Sequence, residues 1–144
     1  MELRAREIKF RAYYKTRKEV YPVSFINFDK KIVTLSIEKT LHGEWYRNES
    51  LDRVQLMQYT GLSDNKGIEI YEGDVVEHND GEFSFRGIVI HSPFGWYVES
   101  TEDCIAFEHF SDETNKTSDC SVVGNMFENW EGNNNKVNVI RFEV

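Results

Sequence analysis

The sequence predicts a mainly β fold built from antiparallel sheets. Three observations carry that reading. Aromatic residues are frequent, with 10 Phe, 7 Tyr and 3 Trp among 144 residues, and such side chains favour a pleated, half-buried surface. Short runs alternate apolar and polar residues with period two, as half-buried strands do. Tight-turn chemistry separates those runs, most clearly at Asn79-Asp80-Gly81 and at Asp64-Asn65-Lys66-Gly67. Asp-Gly suits the mirror-image turns that match strand twist.

The first strand is expected over residues 8–14. Ile8, Phe10, Ala12 and Tyr14 fall on one face, and Lys9, Arg11, Tyr13 and Lys15 on the other. Residues 20–28 form the next run, with Pro22 near its start, where an edge or a strand beginning tolerates it. Asp29-Lys30-Lys31 is its turn, and residues 32–37 return. Residues 41–46 give a fourth strand. Residues 48–53 read as one helical turn capped by Asn48. Residues 54–59 form a strand ended by Gly61. Residues 63–67 turn, with Gly67 free to take positive φ, and residues 68–71 pair back. Gly73-Asp74 marks a corner before a strand opened by Val75-Val76. Residues 83–91 return from the Asp-Gly turn. Ser92-Pro93-Phe94-Gly95 turns again into residues 96–99. Residues 103–110 read as a strand, with Ile105, Phe107 and His109 alternating with Cys104, Ala106, Glu108 and Phe110. Residues 111–121 are acidic and polar and read as a mobile loop. Residues 122–127 and 137–142 close the chain as strands.

No Gly/Ser linker separates two domains, so residues 1–144 read as one domain. A soft division falls between an N-terminal β subdomain, 1–62, and a barrel-like subdomain, 63–144. The Gly73-Asp74 corner, the Val75-Val76 strand, the Asp80-Gly81 hairpin and Gly87-Ile88-Val89 together resemble a small KOW-like or Tudor-like barrel. That fold hosts many functions and so names none. No run of 18 apolar residues exists, which argues against a transmembrane helix. The N-terminal residues are charged in every turn and lack the apolar stretch of a signal peptide. A cytoplasmic location and free thiols at Cys104 and Cys120 are the expectation.

The net charge of −8 comes from 17 basic and 25 acidic residues. Residues 1–72 balance at +2 and residues 73–144 at −10. The overall sign argues against nonspecific duplex binding, which rests on phosphate neutralisation. A charge divided in this way suits a charged partner or head-to-tail self-association.

Reactive chemistry finds little support. His42, His78, His91 and His109 sit in unrelated contexts, and none lies in a nucleophile motif. Cys104, His109 and Cys120 lack the close spacing of a zinc site. Glu72 with Asp74, and Glu102 with Asp103, are acid pairs that chance alone supplies. No phosphate-cradling glycine loop is present. The expectation is no enzyme, no cofactor and no metal. The basic strand face of Lys9, Arg11, Tyr13 and Lys15 is the candidate contact for a partner or nucleic acid, since basic residues beside an aromatic can track a backbone and stack a base. The same charges would also blunt an edge strand against aggregation.

Three separated stretches carry a resemblance. Arg6-Glu7-Ile8-Lys9-Phe10-Arg11-Ala12-Tyr13 opens the chain. Leu56-Met57-Gln58-Tyr59-Thr60-Gly61-Leu62 and the run from Asp64 to Val76 form the middle. Val122-Val123-Gly124-Asn125-Met126-Phe127-Glu128-Asn129 comes near the end. In this order they resemble the YopX family of phage and prophage proteins. One departure is that Asn129 is followed by Trp130-Glu131-Gly132, where the family tends to continue Pro-Glu-Leu. The resemblance implies a cytoplasmic phage or prophage protein with a mainly β fold, and it allows a homo-oligomer. It transfers no catalytic residue. The motif positions Tyr59, Gly61, Gly67, Tyr71, Gly73, Asp74, Gly124 and Asn125 read as a fold signature.

The functional expectation is a phage or prophage accessory protein that works by binding, acting on a host or phage protein through its acidic half. The alternative is single-stranded nucleic-acid binding through the basic strand and the barrel.

Overall fold

The structure is a computed structural model, and it describes residues 6–101 and 103–128. The strand expected at 137–142 and the departure after Asn129 lie outside those residues. The described chain is mainly β with antiparallel sheets, the class the sequence predicts. No helix among the described residues is long and apolar enough to cross a membrane. The chain divides into two compact units, one spanning Lys9–Gln58 and the other holding the described residues from Tyr59 onward with residues 6–8.

The first unit contains β1 (Phe10–Tyr14), β2 (Glu19–Asn27), β3 (Ile32–Thr40), β4 (Gly43–Ser50) and the first half of β5 (Val54–Ser63). Their order is β5-β1-β2-β3-β4, antiparallel throughout. Period-two alternation places Ala12, Tyr14, Tyr21, Val33, Leu35 and Val54 in one buried cluster. Tyr14 is buried among these residues, and its hydroxyl donates to Glu49 Oε1 at 2.5 Å. Arg47 donates to the same oxygen at 2.6 Å and lies over the Tyr14 ring, 5.6 Å from its centroid. These contacts tie the far end of the sheet to β1.

Three expectations change here. β1 lies between β2 and β5, so its charges do not guard an edge. Asn48 is no helix cap. It pairs with Thr34 inside β4 and accepts from the Thr34 hydroxyl at 2.6 Å. The cap is Ser50, whose hydroxyl accepts from the Asp52 amide at 3.2 Å ahead of a 3-10 turn, Leu51–Arg53. Gly61 does not end its strand. β5 runs on to Ser63, and its register against β6 (Glu69–Tyr71) shifts between Tyr59 and Ser63, as extra residues bulging from one strand require.

The second unit continues with β7 (Asp74–Asn79), β8 (Ser84–Ser92), β9 (Gly95–Glu99), β10 (Cys104–Ala106), β11 (Ser111–Asp112), β12 (Thr117–Ser118) and β13 (Ser121–Asn125). Five strands take the order β10-β9-β8-β7-β13, a run of hairpins of the kind small barrels use. Ile70, Val76, Phe85, Val89, Val98, Phe107 and Cys120 form its core.

Two expectations change in this unit. Residues 103–110 are not one strand. β10 ends at Ala106, and Phe107–Phe110 is a 3-10 turn. Three residues per turn bring Phe107 and Phe110 to one side, with ring centroids 5.3 Å apart. Residues 111–121 are not a loop. Ser111–Asp112 pairs with Thr117–Ser118, and Thr117 lies in register with Ser63. The Ser111 hydroxyl donates to the Phe107 carbonyl at 2.6 Å, and Ser118 and Cys120 are buried beneath.

Candidate interaction surface

The middle motif is structural joinery. Tyr59 and Tyr71 face each other across β5 and β6, with ring centroids 5.4 Å apart. Gly67 takes φ +82° in its turn, the left-handed region that glycine occupies without strain. Gly73 also takes positive φ, and its amide donates to the Val89 carbonyl at 2.8 Å. Asp74 is buried, and its Oδ2 accepts from the Tyr71 amide at 2.8 Å. The terminal motif pairs back onto this corner, with Gly124 against Val75 and Asn125 against Asp74. Asn125 Oδ1 then accepts from the amides of Phe127 and Glu128 at 2.9 and 2.8 Å.

The sequence places Asp64 in a turn, and the structure gives it a further role. It is buried, and its Oδ1 accepts from the amides of Lys66 and Ile68, each at 2.8 Å. Its Oδ2 accepts from Val122 at 2.9 Å. The first two bonds form the side-chain turn Asp commonly makes. The third depends on a residue 58 positions away, which no local signal could reveal.

The histidines are scattered. His91 stacks on Trp96, centroids 4.2 Å apart. His42 and His109 are exposed. His78 is buried, stacked on Phe110 at 5.2 Å, with its Nδ1 against the Asp119 carbonyl. The carboxylates of Asp80 and Asp119 stand 3.6 and 3.8 Å from its ring nitrogens. Cys104 and Cys120 are both free. Burial pushes the Cys120 thiol up to about 11. Burial and the nearby Glu99 charge also raise Cys104. Among the described residues, no three of His, Cys, Asp or Glu converge as metal ligands would.

Two surface features remain. The first is the face of the β1–β4 sheet opposite its core. Arg11 and Tyr13 lie on it, in register with Pro22 and Val20. Phe25, Thr34 and Asn48 form a row across β2, β3 and β4, and Ser36 with Tyr46 forms another. Beside β5 this face is closed, since Met57, opposite Arg11, is buried. Lys9, Arg11 and Tyr13 are half-buried, and Lys15 is exposed in the turn after β1. Outward the face opens, with Phe25 60% and Tyr46 51% exposed.

The second feature is charge, and it follows the division into units. Residues 9–58 hold ten Lys/Arg and six Asp/Glu, a balance of +4. Residues 59–128 hold three Lys/Arg and fifteen Asp/Glu, a balance of −12. Part of the acidic excess is built into the fold. Asp64 and Asp74 are buried, and Glu77 pairs with Arg86 across β7 and β8. Asp80 and Asp112 stay exposed while accepting from amides in their own turns, which holds both carboxyls below the usual range.

These features define an antiparallel β protein in two compact units of opposite charge. The family model for the YopX protein matches residues 9–131, and the chain belongs to the YopX family. Among solved structures it is similar to the crystal structure of protein EF1440 from Enterococcus faecalis. The TM-score is 0.58 at 19% identity, covering 87% of this chain and 96% of that one. At that identity the likeness is one of fold alone. Comparison with curated proteins gives no match.

Proposed function

We propose that this YopX-family chain is a non-enzymatic accessory protein of a phage or prophage that works by binding. Its acidic unit engages a basic surface on a host or phage protein. The observation that carries this reading is the −12 balance confined to residues 59–128. A surface of one sign raises the encounter rate with a partner of the other sign and selects against like-charged ones. It can also imitate the phosphates that a DNA-binding protein recognises. Exposed acids of this unit, such as Glu82 and Glu108, are the contacts to remove. A Glu82→Gln/Glu108→Gln variant should lose most of the protein captured from host lysate at about 50 mM salt, where charge contacts are least screened. Undiminished capture would overturn the reading.

A second reading is favoured by one observation. In the +4 unit, Arg11 and Tyr13 share a sheet face with Phe25 and Tyr46. Stacked bases on such aromatics are worth about 1–3 kcal/mol each, and basic neighbours follow the phosphates. A labelled single-stranded oligonucleotide should then bind at about 50 mM salt and weaken steeply as salt rises. Phe25→Ala/Tyr46→Ala should cost roughly tenfold or more in Kd. No rise in anisotropy at low salt would end this reading.

A further inference from the structure

We propose that the outer edge of β4 pairs with the same edge of a second copy, giving a two-fold dimer joined by backbone hydrogen bonds. This inference rests on strand geometry and not on the charge reading above.

β4 ends the strand order of its sheet, and Gly43–Asn48 are all exposed. An edge strand offers a row of unpaired amides and carbonyls, and proteins usually guard it with Pro, lysines, bulges or shortness. The five-stranded sheet follows that rule. Its edge β10 has only three residues, and its edge β13 carries a register shift between Val122 and Gly124. β4 does neither. It runs for eight residues without Pro or Lys, and the shift in its pairing with β3 falls on the β3 side, between Ser36 and Glu38. At its middle stand Trp45, 64% exposed, and Tyr46. A long exposed edge with two aromatic residues at its middle can serve as a pairing template.

The sequence of the edge fits itself. Two copies related by a two-fold axis normal to the sheet keep the same face up, so residues that meet must share a face. The pairing must therefore centre on a residue. Centring on Arg47 sets like charges against each other, which is destabilising. Centring on Trp45 needs the turn residues Leu41 and His42 to extend the ladder. Centring on Tyr46 pairs Gly43–Glu49 with itself, within β4 throughout. Trp45 of one copy then lies opposite Arg47 of the other, a favourable cation–π pair. Glu44 lies opposite Asn48, and the two Tyr46 rings meet on the axis. Arg47 is already held by Glu49 and over Tyr14, so its guanidinium is fixed before pairing. The same symmetry sets the Phe25 and Tyr46 faces of both copies side by side, doubling one continuous aromatic surface.

The test is size-exclusion chromatography with light scattering on the full chain, over a range of concentrations and at about 0.1 and 1 M salt. The expected result is twice the chain mass at both salts. Tyr46→Lys, which sets two lysines on the axis, should give the single-chain mass with an unchanged β circular-dichroism spectrum. Phe25→Lys, off the edge, should stay dimeric. In a Cys104→Ser background, Tyr46→Cys should cross-link under mild oxidation, because facing antiparallel residues fall within disulfide reach. Asn48→Cys should not. A monomer at every concentration, a dimer lost at high salt, a dimer kept by Tyr46→Lys, or cross-linking through Asn48→Cys in place of Tyr46→Cys would each overturn the proposal.

Discussion

Asp64 shows how much structure one side chain can organise. Its two oxygens hold three backbone amides, one of them from β13. Asp64→Ala strands those donors in a buried site, at about 2–4 kcal/mol, since hydrogen bonds to charged groups exceed neutral ones. Asp64→Asn keeps an oxygen for the turn but presents an amide donor to Val122 or to the turn. It should cost less, and urea unfolding ranks the two. Glu49 makes the matching argument through pH. The Tyr14 hydroxyl and then Arg47 bond to its carboxylate and hold its pKa below the ordinary 4.5. A lowered folded pKa adds stability above the unfolded value, and that stability is lost as pH falls through the folded one. Glu49→Gln should therefore melt lower than the parent at pH 7, and the gap should close below pH 4.5. A gap that does not narrow as pH falls below 4.5 would contradict this assignment.

The turns and most strands were legible because Asp, Asn and Gly mark them and period two fills the space between. Each illegible part has its own physical cause. Unbroken alternation over residues 20–28 would place Phe25 beside Val23 and Tyr21 on the core face. A register shift between Val23 and Phe25 turns it outward, and a bulge of this kind leaves no reliable sequence mark. Phe107 to Phe110 fits a strand or a 3-10 turn equally well by alternation, and only the i, i+3 pair of phenylalanines hinted at the latter. Polarity concealed the β11–β12 hairpin, whose order comes from side chain to backbone bonds. The hairpin predicts a chemical asymmetry. At pH 8 a maleimide should modify exposed Cys104 alone, and Cys120 should react only on unfolding. Mass spectrometry showing two adducts on the native protein would contradict its order. Gly87 sits where β8 and β9 approach closely. A Cβ there would stand 2.6 Å from the Glu99 carbonyl oxygen, so Gly87→Ala must part β8 from β9. The expected loss is about 1–3 kcal/mol, as overpacking costs elsewhere, measured by thermal melting.

At the scale of the molecule, the charge contrast legible in the sequence sharpens when the chain is divided by its compact units. Divided near residue 72, the halves differ as +2 and −10. Divided where the fold divides, residues 9–58 and 59–128 differ as +4 and −12. The proposed acidic contact surface and the aromatic sheet face belong to different units. The leading proposal assigns protein binding to the acidic unit. The most direct test captures proteins and nucleic acid from one host lysate with the parent chain and two variants, Glu82→Gln/Glu108→Gln and Phe25→Ala/Tyr46→Ala. The first variant should lose protein partners while the second keeps them. Equal capture by all three, or loss of protein partners only in the sheet-face variant, would contradict the proposal.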